Sequence, residues 1–456
     1  MQINKPSIPQ GTRDFDAATI YKRQYITNTI KTVFEKYGFE PLQTPAFENL
    51  TTLMGKYGEE GDKLMFKILN NGLADKAEKA TLAFNDILQG KSTPAITERA
   101  LKYDLTIPFA RYVAMNYAHL NLPYKRYQIQ PVWRADRPQK GRYREFVQCD
   151  ADIVGSESIL NEIDLINIYA DVFTALKLKV NIKINNRKIL QALAQICNAE
   201  NYLVTITTAI DKLDKIGLDK VLEDLAANNI NIQQQQIIKN YLAITGSNQA
   251  ILAQLANLFA TNQIGIDGLQ EITQIITMAN HNNSFANIVV QPSLARGLNY
   301  YTGVIIEVQA ADFAMGSIGG GGRYNNLTEL FGVPNVPGVG ISFGLDRIYD
   351  VLEGLNLFNT NIAQTKIKIM FLNHSAAQAT HCYPLLQGLR QANFTAEIYY
   401  NQAKIDKQYK YAEAKAITYV INATFNTDDN YCIVKNINTG LQQKIALDDL
   451  NNYSFI

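Results

Sequence analysis

The residues with the most chemistry in them lie on a stretch that reads as two strands joined by a charged loop: Tyr127 to Arg134, then Ala135 to Tyr143, then Arg144 to Asp152. Successive side chains of a strand point to opposite faces. Gln128, Gln130 and Arg134 therefore share one face of the first strand, with Tyr127, Ile129 and Trp133 on the other. Arg144, Phe146, Gln148, Asp150 and Asp152 share one face of the second, opposite Val147, Cys149, Ala151 and Ile153. An ordinary half-exposed hairpin predicts the same alternation. A face that carries an arginine, an aromatic platform, glutamines and a carboxylate together is nonetheless a mix that a mere solvent face would not need. Two further arginines belong with it. Arg296 sits in a loop ahead of a strand, and Arg347 lies in the first turn of a helix, where the helix dipole disfavours a cation unless an anion is held beside it. The histidines, His119, His281, His374 and His381, fall outside these motifs, and no Cys or Ser stands beside a partner base. Nucleophilic and imidazole catalysis are thus disfavoured, leaving positioning and positive charge as the chemistry on offer.

The elements that must position these residues follow from composition and pattern. A chain of 456 residues, 47% hydrophobic and 19% charged, suggests roughly two to four soluble globular domains. No apolar run reaches the ~18 residues of a membrane span and the N-terminal stretch lacks the apolar core of a signal peptide, so a cytoplasmic protein is expected. Cys149, Cys197, Cys382 and Cys432 lack metal-ligand spacing and read as reduced. The net charge of +1 excludes a global basic field, so a nucleic acid would be held by local patches.

Asp16 can cap a helix running to about Tyr37, closed by Gly38, with Ile26, Ile30, Val33, Phe34 and Tyr37 as its apolar stripe. An extended, proline-broken segment ends at Pro45 and suits an edge or an interface. Residues 70–93 read as a loop excursion. Asp104 and Thr106 share a strand face ahead of a helix that begins near Pro108, although Asp104 serves equally well as that helix's cap. Residues 157–176 are helical, 179–186 a strand, and 187–283 a helical insertion rich in Leu, Ile, Ala, Asn and Gln. Gly319 to Gly322 precede Arg323 without the Gly-Lys-Ser/Thr ending of a nucleoside triphosphatase loop. That run permits close backbone approach to a ligand or free bending. A Gly-rich strand then turns into a helix with the stripe Leu345, Ile348, Leu352 and Leu355. From about Lys366, alternating strands and helices argue a small α/β domain, with Lys404, Lys407, Lys410 and Lys415 on one helix.

The chain resembles the class II aminoacyl-tRNA synthetases and, within them, the histidyl-tRNA synthetase family. The class motifs occur in order: the segment ending at Pro45, the hairpin with Arg134, and the strand and helix with Arg347. The histidine-type signatures LARGLNYYTG (294–303) and GGGRYNNL (320–327) are present, as is the hairpin loop DRPQKGRYREF from Asp136 to Phe146. Asn299 stands where the family commonly has Asp.

The resemblance implies an α+β fold: a class II antiparallel sheet with flanking helices in residues 1–180 and 287–358, a helical insertion domain in 181–286 and a C-terminal α/β anticodon-binding domain in 366–456. It implies that ATP activates L-histidine, which is then transferred to the 3' end of tRNA(His) by a homodimer. Mg2+ is expected with ATP, and no metal site can be read from the sequence. By the same resemblance Arg134 meets the α-phosphate, Arg142 and Arg347 the γ-phosphate, and Phe146 stacks on adenine. Arg296 bridges the histidine carboxylate and α-phosphate. Asp104, Thr106 and Gln148 hold the α-ammonium, Asp152 and Tyr301 read the imidazole, and Arg137, Gln139 and Lys140 meet the tRNA acceptor end. Synthetase-like regulatory or sensor proteins that bind histidine or tRNA without charging are the alternative. They commonly lose the arginines or the C-terminal domain, and this chain keeps both.

Overall fold

The alternation of the hairpin is that of the middle of a sheet. The computed structural model describes residues 5–56, 58–89, 93–279, 283–297, 300–358, 367–425 and 430–455. The chain divides into two units, Met1–Leu357 and Phe358–Ile456.

In the first unit the strands are β1 (Glu40–Pro41), β2 (Phe47–Asn49), β3 (Lys67–Ile68), β4 (Arg99–Leu101), β5 (Tyr124–Trp133), β6 (Glu145–Val154), β7 (Val180–Asn186), β8 (Ala286–Val290), β9 (Val304–Ala310), β10 (Gly319–Tyr324) and β11 (Gly338–Gly344). Eight of them form one sheet in the order β1-β5-β6-β11-β10-β9-β7-β8, and β2, β4 and β3 form a small separate sheet. The large sheet is antiparallel except for its outermost pairs, β1 with β5 and β7 with β8. Pro41 thus occupies an edge strand, where its missing N–H does no harm.

Three helices cover one face of this sheet: α1 (Ala17–Lys36), α6 (Leu160–Ala175) and α14 (Leu345–Gly354). Asp16 caps α1 by accepting from the Thr19 N–H at 2.8 Å, and Gly38 follows the helix with φ +77°. Ile26, Ile30 and Phe34 on α1 are fully buried. Phe343 of β11 lies with its ring centroid 4.6 Å from Tyr169, 5.7 Å from Phe173 and 5.8 Å from Phe34, which locks the helices onto the sheet. Truncating such a ring to alanine costs about 3–5 kcal/mol.

The same unit contains the short helices α2 (Leu50–Leu53) and α3 (Gly58–Lys63), then α4 (Ala77–Leu88) and α5 (Thr106–Asn116). The segment 70–93 is therefore not a simple loop. The periodicity of α4 is hidden because Leu82, Phe84 and Leu88 are exposed and Ala83 is its buried residue. Asp104 and Thr106 are not on a strand either. The strand near them ends at Leu101 in the small sheet, Asp104 sits in the following bend, and Thr106 begins α5.

The insertion consists of α7 (Arg187–Ile196), α8 (Leu203–Asp211), α9 (Leu213–Ile216), α10 (Leu218–Ala227), α11 (Ile232–Leu242), α12 (Asn248–Leu258) and α13 (Gln263–Met278). Residues 181–186 belong to β7, so the helical segment begins at Arg187. Asn186 caps α7, and Asn231 with Gln234 forms a capping box on α11, which carries the glutamine run.

The second unit has β12 (Lys368–Phe371), α15 (Ala376–Gln391), β13 (Thr395–Ile398), α16 (Ile405–Ala414), β14 (Tyr419–Thr424), β15 (Tyr431–Asn436) and β16 (Gln442–Ala446), ordered β13-β12-β14-β15-β16. Its first three sheet members are parallel and the helices supply the crossovers. Ile369, Phe371, Leu386, Leu389 and Ile421 form its core.

Candidate active site

The glycine run decides the shape of the site. Gly319 to Gly322 form most of β10, between β9 and β11. A Cβ on Gly321 would collide with the Gly340 carbonyl, and one on Gly322 would lie 2.6 Å from the Val304 carbonyl. The run is bare because its neighbours leave no room, not because it bends. Behind it, the Tyr169 hydroxyl donates to the Gly320 or Ser342 carbonyl, at 3.0 and 2.9 Å, and props the strands from the helix side.

Above this floor lies a cavity of about 570 Å³ into which Arg134, Arg142, Arg296 and Arg347 converge, together with Phe146, Gln148 and Tyr301. Each arginine is delivered by a different device. Arg134 follows β5; its Nε donates to the Tyr103 carbonyl at 3.1 Å, and its guanidinium lies 4.3 Å from the Tyr103 ring centroid and 5.2 Å from that of Phe146. Arg142 is presented, exposed, by a tight turn closed by reciprocal backbone bonds with Gln139, with Gly141 at φ +73°. Arg296 pairs with Glu307 of β9 at 2.6 Å. Arg347 is tied by Nε to the Gly141 carbonyl at 2.8 Å and by Nη1 to the Ser317 carbonyl at 2.6 Å. Those carbonyls answer for a cation in the first turn of α14 and splint it to the hairpin loop. Burial, and then repulsion by Arg142, Arg296 and Arg134, lowers the Arg347 pKa. Guanidinium groups assembled against their own repulsion form a receptor for a polyanion.

The helix that carries Arg347 is anchored through Asp346. This buried carboxylate pairs with Arg13 and with Arg23, at 2.6 Å for the latter, and accepts from the Val147 N–H at 2.9 Å. Sequence reasoning missed Arg13 and Arg23, whose partner lies more than three hundred residues away.

A second hollow of about 80 Å³ opens beside the first, sharing Arg134, Gln148, Tyr300, Tyr301, Gly320, Gly321 and Ser342. Asp104, Thr106, Asp150, Asp152, Tyr324, Gly340 and Ile341 complete its wall. Asp104 both caps α5, accepting from the Ile107 N–H at 3.2 Å, and reaches this wall. Gln148 donates to the Ser342 hydroxyl at 3.0 Å, and the Tyr300 hydroxyl lies 3.3 Å from that of Tyr301. Asp152 is already engaged. Arg126 Nη2 stands 2.7 Å from its Oδ2, and the Tyr324 hydroxyl donates to its Oδ1 at 2.5 Å. The Arg126 contact is an ion pair by distance without the angle of an aligned hydrogen bond. Burial raises the pKa of Asp152, against the pull of Arg126 and the Tyr324 bond. A Cβ at Gly340, opposite Asp152 on β11, would strike this carboxylate.

Arg137, Gln139 and Lys140 are exposed on the hairpin loop, and Gln139 and Lys140 border a further cleft of about 360 Å³ beside α8 and α9. Asn299 lies outside the described residues. Of the other expected residues, all but Arg137 line one of these hollows. Arg126, Asp150, Tyr324 and Ser342 were not given roles from sequence. Asp150 shares the parity of Gln148 and Asp152, which was the available signal, and Arg126 continues the Gln128 and Gln130 face.

An antiparallel sheet that presents clustered arginines over a glycine floor is the arrangement of the class II synthetases. A family model described as histidyl-tRNA synthetase matches residues 11–348, and one described as anticodon binding domain matches 366–453. The chain belongs to the histidyl-tRNA synthetase family. It is 49% identical to the histidine–tRNA ligase of Azobacteroides pseudotrichonymphae, covering 99% of this chain and 98% of that one, and 47% identical to that of Flavobacterium johnsoniae, covering 98% of each. The solved histidyl-tRNA synthetase of Nostoc sp. PCC 7120 superposes with a TM-score of 0.79 at 29% identity, covering 99% of both chains. A Bacillus halodurans protein titled ATP phosphoribosyltransferase regulatory subunit/histidyl-tRNA synthetase shares the fold, with a TM-score of 0.70 at 17% identity over 92% of this chain and 99% of that one.

Proposed function

We infer that the protein is a histidine–tRNA ligase: it joins L-histidine to AMP from ATP, releasing pyrophosphate, and passes the histidyl group to the 3' end of tRNA(His). The observation that carries this reading is the continuity of the two hollows, one ringed by guanidinium groups and the other walled by carboxylates and hydroxyls, with Arg134 and Gln148 common to both.

In the first step a histidine carboxylate oxygen attacks the α-phosphorus, the bond from that phosphorus to the bridging oxygen breaks, and pyrophosphate leaves with the electron pair. The protein's part is to align the two and to place positive charge where negative charge grows. Arg134 takes the α-phosphate and Arg142 and Arg347 the γ-phosphate, while Phe146 stacks on adenine. Arg296, exchanging its Glu307 contact for substrate, bridges the carboxylate and the α-phosphate. Asp104, Thr106 and Gln148 receive the ammonium, Asp152 and Tyr301 the imidazole. In the second step a terminal ribose hydroxyl of tRNA attacks the acyl carbon and AMP departs, with Arg137, Gln139 and Lys140 steadying the acceptor end.

The described residues include no group of three or more His, Cys, Asp or Glu side chains able to hold a metal ion, and Glu307 and Asp346 are spent on arginines. These residues do not fit a resident metal site. Mg2+ belongs to this reading as a companion of ATP, part of the substrate. A homodimer and a cytoplasmic location also belong to the reading, and no helix among the described residues is long and apolar enough to cross a membrane.

The test is pyrophosphate exchange across the twenty amino acids, followed by charging of tRNA(His). Exchange with histidine alone, then charging, is expected. Histidine binding without exchange would favour a regulatory, non-charging protein.

A further inference from the structure

The smaller hollow contains a carboxylate to which the roles above assign nothing. Asp150 lies on β6 between Gln148 and Asp152, opposite Gln128 of β5 and Ser342 of β11, and is 2% exposed. The Ser342 hydroxyl bonds to its carboxylate, but its Oδ1 has no hydrogen-bond partner. The nearest cation, Arg126, is committed to Asp152, and the buried Lys102 amine is held by the Thr44 carbonyl and Gln130. A carboxylate oxygen buried without a donor is costly, and on the wall of a hollow that shares its lining with the larger cavity the donor that relieves it comes from the ligand.

We propose that Asp150 is a substrate-binding residue whose Oδ1 accepts a hydrogen bond from a protonated nitrogen of the bound amino acid. This rests on the histidine reading above and deepens it. Asp152, ion-paired and hydrogen-bonded from the protein side, then serves to orient the pocket, and Asp150 supplies its open acceptor.

Binding is therefore linked to a proton. Within electrostatic reach of Asp150 are Asp152 from its own strand, Arg126 from β5, Asp104 ahead of α5, Lys102 just past β4 and Tyr324 from β10, with Tyr169 of α6 behind the sheet and the Cys149 thiol adjacent. Burial is the main cause that pushes Asp150 up to about 7, against Arg126 and the Ser342 bond. A ligand N–H favours the ionised form. Histidine binding near pH 7 should release protons, and affinity should rise as pH increases through neutrality.

The experiment is histidine-dependent pyrophosphate exchange by wild type and Asp150→Asn from pH 6 to 9, with thermal melting as the fold control. Wild-type exchange establishes the underlying reading, and its absence would overturn that reading first. In the variant the histidine KM is expected to rise about ten- to a hundredfold, with the ATP KM unmoved and its pH dependence reduced to that of the free imidazole. Inhibition by the des-amino analogue imidazolepropionate separates the donors. A loss confined to histidine places the ammonium on Asp150, and an equal loss for the analogue places a ring N–H there. If Asp150→Asn does not fold, calorimetry of wild type with histidine in buffers of different ionisation enthalpy reads the proton release directly. An unchanged histidine KM, an equal loss of ATP and histidine, or binding without proton release would overturn the proposal.

Discussion

The two hollows of the cleft face opposite electrostatic problems. In the larger one the charges wait for a partner: Arg142 is exposed, and the side chain of Arg296 is 43% exposed and held by one carboxylate. Water solvates such cations until substrate arrives, so they contribute little to folding. In the smaller one the charges are built into the sheet: Arg126 is inaccessible, and Asp150 and Asp152 are each 2% exposed. Removing one member of a buried pair strands the other at a cost of about 3–5 kcal/mol. Substitutions in the large hollow should therefore separate activity from stability, whereas those in the small one mix the two unless they are isosteric.

The sharpest break in this contrast would come from Arg296→Ala. It removes charge stabilisation from the transition state while Glu307 still accepts from Gln309 at 2.5 Å. Exchange should fall by at least ~3 kcal/mol, over a hundredfold, with little change in melting temperature. Near-normal exchange, or a large fall in melting temperature, would show that this arginine belongs with the structural charges. Both hollows lie within the first unit. Truncation after Leu357 should thus leave histidine-dependent exchange measurable and abolish charging. Parallel loss of the two in a folded fragment would mean that the second unit supports activation.

Gly340→Ala probes the small hollow by filling it. Its methyl meets the Asp152 carboxylate, and overpacking of this kind costs about 1–3 kcal/mol. The histidine KM should rise about tenfold or more while the ATP KM holds. A variant that lost ATP and kept histidine would reverse the assignment of the hollows. Tyr301→Phe deletes one hydroxyl at the rim and leaves the ring, so a loss of about 1 kcal/mol, up to tenfold in histidine KM, is expected with melting unchanged. Asp152→Ala is less informative, because an unpaired Arg126 would unsettle the fold as well.

Local signals made much of this architecture legible. The Asp16 cap, the α1 stripe and the strand parity of the hairpin depend on neighbours in the chain, as do the helices of the second unit. The eight-stranded order did not follow from them, since β10 is nearly all glycine and carries no alternation to read. Asp104 looked like a strand residue because polar and apolar residues alternate across 103–106, yet its carboxylate accepts from the Ile107 N–H in the first turn of α5. The arginines of the large hollow were visible through family motifs. The groups of the small hollow that matter most, Arg126, Asp150 and Tyr324, become significant only through partners on other strands, and no spacing along the chain announces a cross-sheet ion pair. Arg347 taught a similar lesson. The dipole argument correctly marked it as odd, but the compensation comes from the carbonyls of Gly141 and Ser317.

The smallest expected effect concerns the buried charges without substrate. Lys102, inaccessible and bonded to the Thr44 carbonyl at 3.2 Å and Gln130 at 2.9 Å, is pushed down to about 8 by burial, with Glu48 opposing. An unfolded lysine titrates near 10.4, so between about pH 8 and 10 the unfolded chain holds more protons and stability rises with pH. Asp150 acts with the opposite slope: the folded protein holds the extra proton between about 4 and 7, so stability falls across that range. Tyr124 and Tyr127, both pushed up to about 12, oppose the lysine above pH 10, because the unfolded chain then loses protons first. Burial also pushes up the thiols of Cys149, Cys197, Cys382 and Cys432, which oppose the lysine above about pH 8.5 because the unfolded chain then loses those protons first. In denaturant midpoints taken from pH 5 to 10, Asp150→Asn should therefore flatten the acid limb and Lys102→Met should make the alkaline limb fall more steeply. A wild-type profile that falls steadily from pH 8 to 10, unaltered by Lys102→Met, would mean that this lysine keeps its ordinary proton in the fold and that only the carboxylates of the small hollow feel their burial.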